Sequence, residues 1–206
     1  MRTVNQNKID GFYSKYLKRL LDILASFLIG LILIIPLLII ALLIKIDSKG
    51  PVIFKQSRVG KNGKTFNIYK FRTMEITAPH NMATSNFNNA KKYITRTGAF
   101  LRKSSIDEIP QLLNVLKGDM SIVGPRPLIL SEKMVNRERH RLGIDQVLPG
   151  ITGLAQISGR DMIDDQAKVE YDFQYVQHLS FILDVKIIIS TLLKVAIEKD
   201  IHEGND

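Results

Sequence analysis

ILASFLIGLILIIPLLIIALLI, residues 23–44, runs for 22 positions without a charged side chain, and how this stretch meets its surroundings decides the fold. As one α-helix it rises about 33 Å, enough to cross the hydrocarbon core of a bilayer. It is too long for the core of a signal peptide, and no small-x-small cleavage site follows it. An ordinary transmembrane span is therefore one reading. Two features support a different one. Pro36 falls inside the run, where it deletes a backbone hydrogen bond and kinks a helix. Basic residues also flank both ends, with Lys15, Lys18 and Arg19 before and Lys45, Lys49, Lys55, Arg58 and Lys61 after. A span concentrates Lys and Arg on one side of the membrane, whereas a hairpin that enters and leaves the same face is basic at both ends. Split at Pro36, each half is about 20 Å long. On the residues alone, a span and a re-entrant hairpin both remain open.

The 206 residues suffice for one globular domain beside such a segment, with residues 1–48 carrying the apolar run and 49–206 forming the main domain with helices suited to a membrane interface. A net charge of +9 points to polyanionic partners such as phospholipid head groups, nucleotides or nucleic acid. The absence of cysteine excludes disulfides and thiolate metal sites. His80, His140, His178 and His202 are too scattered for a zinc cluster.

Working outward, residues 1–10 are polar and read as a frayed end. Residues 52–58 and 65–71 read as two short strands, with Asn62-Gly63 as the hairpin signal between them. Residues 77–89 are polar and aperiodic, a mobile loop suited to closing over a substrate. Helical signals return at 98–103 and 107–117, with Gly118 placed to end the second helix. Pro125, Pro127, Pro149, Gly150 and Gly153 then punctuate an irregular middle. A last helical zone covers 164–198, where Phe181, Ile182, Ile187 and Leu192 surround Asp184, Lys186 and Lys194. It reads either as a core helix or as one lying in the membrane interface with its lysines snorkelling to the head groups.

The densest chemical cluster is Arg102-Lys103-Ser104-Ser105-Ile106-Asp107-Glu108-Ile109-Pro110-Gln111. Ser105 or Ser104 can cap a helix, and Pro110 is tolerated only in its first turn. Asp107 and Glu108 then lie at a helix N-terminus, which favours negative charge. An ionised carboxylate there can act as a nucleophile, and a phosphate is also welcome beside it. The plainer reading is that acidic residues in a first turn simply stabilise the helix. Lys70-Phe71-Arg72 sets two cations on one face of a strand. Gly124-Pro125-Arg126-Pro127 presents an arginine from a stiff backbone, and Gly159-Arg160 ends another glycine-bounded segment. Arginine's planar fork suits phosphate.

These motifs, with Gly118-Asp119-Met120 ahead of Ser121, Pro149-Gly150-Ile151-Thr152-Gly153-Leu154-Ala155-Gln156 and Leu183-Asp184, come in an order that resembles the bacterial sugar transferases. These are the monotopic phosphoglycosyltransferases, here in their minimal single-domain form, and the likeness covers nearly the whole chain. The resemblance implies an α+β, mainly helical fold: an N-terminal re-entrant membrane helix broken at Pro36, a short β-hairpin and interfacial amphipathic helices. It implies a ping-pong reaction in which Asp107 attacks the β-phosphate of a UDP-sugar and expels UMP. Polyprenyl (undecaprenyl) phosphate then takes the phosphosugar, the first membrane step of glycoconjugate assembly. Glu108 would orient or deprotonate the acceptor phosphate and, with Asp107, assist magnesium. Arg102, Arg126 and Arg160 match phosphate and nucleotide contacts, while Lys70, Arg72 and Asp184 match other motif positions. Both ends of the apolar helix, and the active site, would lie on the cytoplasmic face of the bacterial inner membrane among phospholipids. The chain departs from the family's Ser-Pro break, since Ile35 precedes Pro36, and a serine there would help satisfy freed backbone groups. The rival enzyme reading is a membrane-bound, magnesium-dependent nucleotide-sugar hydrolase or phosphatase. A nucleic-acid-binding module is disfavoured, because the basic residues are dispersed among glycine-proline turns.

Overall fold

A computed structural model describes residues 2–78, 90–159 and 163–197. The fold is mainly helical, with a short antiparallel hairpin and one long apolar helix near the N-terminus. The chain opens with α1 (Gln6–Ile9), capped by the Asn5 side chain, and a π-helical turn at Tyr13–Leu17. The start is not frayed. Val4 is buried, its N–H donates to Leu142 O at 3.0 Å, and Asn5 N donates to Gln177 Oε1 at 2.9 Å. One apolar side chain and these two hydrogen bonds hold a segment whose polar composition suggested no anchorage.

The apolar run lies in α2 (Lys18–Asp47), 30 residues and about 45 Å long. Its helical assignment passes through Pro36 without interruption. Proline deletes only its own bond to the preceding turn, and the neighbouring bonds carry the helix across. Most of α2 is exposed apolar surface, including Phe27, Ile32, Ile35 and Leu38. Both of its ends are nevertheless fastened to the same body. Near the start, Arg19 Nη1 donates to Val115 O at 2.7 Å, and Asp22 accepts from Ser121 Oγ at 2.7 Å and from Ile122 N at 3.2 Å. At the far end, Asp47 accepts from Thr97 N at 2.9 Å, and Arg72 Nη2 donates to Ser48 O at 2.8 Å.

Strands β1 (Ile53–Val59) and β2 (Thr65–Phe71) pair antiparallel from Ile53 opposite Phe71 to Val59 opposite Thr65. Asn62 turns the chain with φ +54°, the left-handed conformation that asparagine tolerates. Helix α3 (Arg96–Lys103) follows, then a 3-10 segment Ile106–Gln111 and α4 (Leu112–Lys117), which Gly118 ends at φ +94°. The expected serine cap is not made. Ser105 itself takes the left-handed conformation with φ +55°, and Ser104 Oγ donates back to Phe100 O at 2.8 Å at the end of α3. Two consecutive serines close one helix and turn the chain, so Asp107 and Glu108 enter on a 3-10 segment rather than an α-helix.

The middle is more regular than its prolines and glycines suggested. β3 (Ser121–Val123) pairs parallel with β4 (Gly150–Thr152), flanking α5 (Lys133–Leu142). Backbones meet so closely that a Cβ on Gly150 would lie 2.1 Å from Gly124 N, so no other residue fits there. α6 (Leu154–Ser158) leads on, and the last helical zone is two helices, α7 (Asp165–Gln177) and α8 (Phe181–Ile197). The main core gathers Val123, Leu128, Val135, Leu142, Phe173, Val176 and Ile187, while smaller clusters around Phe71 and Leu101 and around Ile68 and Val115 carry the hairpin. Along α8, Ile187 is fully buried, whereas Phe181, Ile182, Ile189, Leu192 and Leu193 are exposed.

Candidate active site

Four elements converge on the acidic pair. β2 brings Lys70, the 3-10 segment brings Asp107 and Glu108, the last turn of α3 brings Arg102, and the turn after β3 brings Arg126. Lys70 Nζ donates to Glu108 Oε1 at 2.6 Å, and Arg126 Nη1 stands 3.7 Å from the same oxygen. Lys70 and Glu108 are largely buried, while the Arg126 side chain is 41% exposed and reaches solvent.

Burial is the largest influence on Asp107 and pushes its carboxyl from 3.8 up to about 6. Lys70 opposes that rise most, Glu108 adds to it, and Arg102 and Arg126 oppose it. Asp107 is thus a desolvated carboxylate that is still ionised at neutral pH, with Lys70, Arg102 and Arg126 around it. Weak hydration favours attack on phosphorus, because less water must be stripped away. Among the described residues, no group of three or more His, Cys, Asp or Glu is spaced for a metal ion. Magnesium, however, binds through one or two carboxylates and takes its other ligands from water and substrate phosphates. The hard oxygens of Asp107 and Glu108 fit that donor set.

A cavity of about 340 Å³ opens beside this cluster. Glu108 and Arg126 line it together with Ile29 and Leu33 of α2 and Ile188 and Leu192 of α8. One wall is therefore the long apolar helix, and another carries Glu108 and Arg126 of the charged cluster.

Other residues singled out in the sequence sit elsewhere. The Arg72 guanidinium turns to the last turn of α2, where carbonyls lack helical partners, and bonds Ser48 O and Ser48 Oγ at 2.8 and 2.9 Å. Asp184 is buried in α8 and accepts from Tyr13 Oη and Lys18 Nζ at 2.6 Å and from Tyr175 Oη at 2.9 Å, joining the N-terminal helices to the C-terminal one. Arg160 and residues 79–89 of the expected loop lie outside the described residues. Residue patterns gave no sign of Asn114, fully buried, whose amide accepts from Tyr69 N at 3.0 Å and donates to Asn67 O at 2.8 Å, fastening α4 to β2. They also missed Arg58, which donates to Pro127 O at 3.2 Å beneath Arg126.

Glu108 and Arg126, clustered with the desolvated Asp107, border the apolar chamber. The chain belongs to the bacterial sugar transferase family, whose model matches residues 13–198, and it is an enzyme of the transferase class. It is 45% identical to the uncharacterized sugar transferase EpsL of Bacillus subtilis, over 92% of each chain. It is 41% identical to the UDP-glucose:undecaprenyl-phosphate glucose-1-phosphate transferase of Escherichia coli, over 90% of this chain and 41% of that one. To the undecaprenyl-phosphate galactose phosphotransferase of Salmonella typhimurium it is 39% identical, over 95% of this chain and 43% of that one. The chain thus spans nearly all of EpsL and less than half the length of the other two.

Proposed function

We propose that the chain transfers a sugar-1-phosphate from a UDP-sugar to polyprenyl phosphate and releases UMP. Asp107 Oδ attacks the β-phosphorus, and the bond from that phosphorus to the bridging oxygen breaks as UMP leaves. The product of this step is a mixed anhydride of Asp107 and the sugar phosphate. A phosphate oxygen of the lipid then attacks the same phosphorus and returns Asp107 as a carboxylate, giving the polyprenyl diphosphate sugar. The observation that carries this reading is the joining of two chemistries in one place. Glu108 and Arg126 border a cavity whose remaining walls include Ile29, Leu33, Ile188 and Leu192. Apolar walls suit an isoprenoid tail, and the charged end suits two phosphates. A hydrolase would have no use for such walls. Lys70, Arg102 and Arg126 would bind and orient the phosphates, and Glu108 would position the acceptor phosphate. Asp107 and Glu108 would hold magnesium, which when bound neutralises charge on the diphosphate.

The membrane placement belongs to the same proposal: α2 enters and leaves one face of the bacterial inner membrane, with the site on the cytoplasmic side. Supporting this, Arg19 and Asp22 at one end and Asp47 and Ser48 at the other hold to a single body. Attachment of both ends to one body is the arrangement expected of a helix that enters and leaves the same face, with basic residues at both ends.

The test is UMP release by the detergent-solubilised protein with magnesium, a panel of UDP-sugars and undecaprenyl phosphate. Lipid-dependent release from one donor, absent in Asp107→Asn, is the expected result. Release without any lipid product would turn the reading to a hydrolase.

A further inference from the structure

Arg126 owes its position to a backbone turn that is held from outside the site. Gly124 N donates to Thr152 O at 2.8 Å, and the next three carbonyls each receive a donor from a different element. Pro125 O accepts from Gly150 N of β4 at 2.9 Å, Arg126 O from Arg139 Nη1 of α5 at 2.7 Å, and Pro127 O from Arg58 Nη1 of β1 at 3.2 Å. Pro125 and Pro127 fix φ on either side of Arg126. Held by these bonds and by two fixed φ angles, the turn sets the Arg126 side chain beside Glu108.

Arg139 is itself buried, 7% exposed, and its other nitrogen, Nη2, pairs with the fully buried Asp172 of α7. A buried ion pair is a poor source of stability, because desolvating both charges offsets their attraction and apolar replacements often fold as well or better. Its specific consequence here is geometric. Asp172 takes one arm of the planar fork and so aims the other at the Arg126 carbonyl, a division that lysine's single ammonium cannot reproduce. We propose that Arg139, aligned by Asp172, is a positioning residue that sets Arg126 against the phosphates of the nucleotide-sugar donor. The inference rests on the transferase reading of Arg126.

The test uses the full chain in detergent, with Arg139→Lys and the paired replacement Arg139→Met/Asp172→Leu. Melting temperature, kcat and KM for the UDP-sugar, and UDP affinity by calorimetry are measured, each alone and combined with Arg126→Ala. The paired replacement should stay folded, its melting temperature lowered by no more than the lost bond to Arg126 O, roughly 2–6 °C, yet lose about tenfold or more in kcat/KM, as small misplacements of a binding group do. In the Arg126→Ala background the same replacement should cost less than about twofold, because residues acting through one contact are non-additive. Should the paired protein fail to fold, Arg139→Lys carries the same cycle. Costs that multiply with Arg126→Ala, or an apolar pair with wild-type kcat/KM, would overturn the assignment. Absence of UMP release from the wild type would instead defeat the transferase reading, and the cycle read on UDP affinity would still decide the positioning role.

Discussion

Acidification offers a direct probe of Asp107. The nucleophile must be a carboxylate, and burial holds its pKa at about 6 rather than 3.8. A raised carboxyl pKa removes the reactive form as pH falls through that value, so the first half-reaction should weaken below neutrality. At pH 5, one unit under the midpoint, about one enzyme in eleven is ionised, so the rate of UMP formation should fall roughly tenfold from its plateau. An ordinary aspartate would lose less than about a tenth of its rate at that pH. The assay must isolate the first half-reaction, because the lipid acceptor is a phosphate monoester and titrates in the same range. Rapid quench of UMP formation without lipid, or kcat/KM for the donor in a ping-pong scheme, reports the free enzyme alone. Lys70 is the strongest influence opposing the rise, so Lys70→Met should lower the rate and also move the acid limb to higher pH. A profile flat between pH 5 and 8, or a limb that stays in place in Lys70→Met, would refute a desolvated Asp107 nucleophile tuned by Lys70.

Three further outcomes follow from the packing. Asn114→Ala leaves Tyr69 N–H and Asn67 C=O without their buried partner, a cost of about 3 kcal/mol, read as a drop of roughly 6–12 °C in melting temperature in detergent. Gly98→Ala would put a methyl 2.0 Å from Thr73 O, so α3 must move from the end of β2 and the loss should reach about 2 kcal/mol or more. Because the chain has no cysteine, Lys8→Cys and Lys49→Cys, both at exposed positions before and after α2, give clean topology probes. An impermeant maleimide should label both in inside-out vesicles and neither in right-side-out ones, whereas labelling from opposite sides would make α2 a span.

Much of the local structure was legible because it follows from near neighbours. The hairpin could be read from two short strand-like runs around Asn62-Gly63, and Gly118 marked the end of α4, since each depends on backbone preferences within a few positions. The acidic pair and Lys70, Arg102 and Arg126 stood out by residue type, and the fold brings them together. What stayed hidden depends on distant partners. Strands of three residues, β3 and β4, are too short to show a period, and their pairing joins Ser121 to Gly150 across α5. Helix α5 was missed because prolines and glycines on either side dominate its neighbourhood. Arg72 looked like a phosphate contact from its spacing to Lys70, yet the end of α2 lies within its reach and claims its guanidinium. Asp184 likewise is held by Tyr13 and Lys18, which are more than 160 positions away. Residue type announces a charge; only the fold says which partner receives it.

The central claim is a covalent bond at one named atom, and intact and peptide mass spectrometry tests it most directly. The protein is mixed with its UDP-sugar and magnesium without lipid, quenched, and digested with trypsin, which releases residues 104–117 as one peptide. That peptide should gain the mass of one sugar phosphate on Asp107, lose it when undecaprenyl phosphate is added before the quench, and never gain it in Asp107→Asn. Steady UMP release with this peptide unmodified, or the adduct on another residue, would contradict the account.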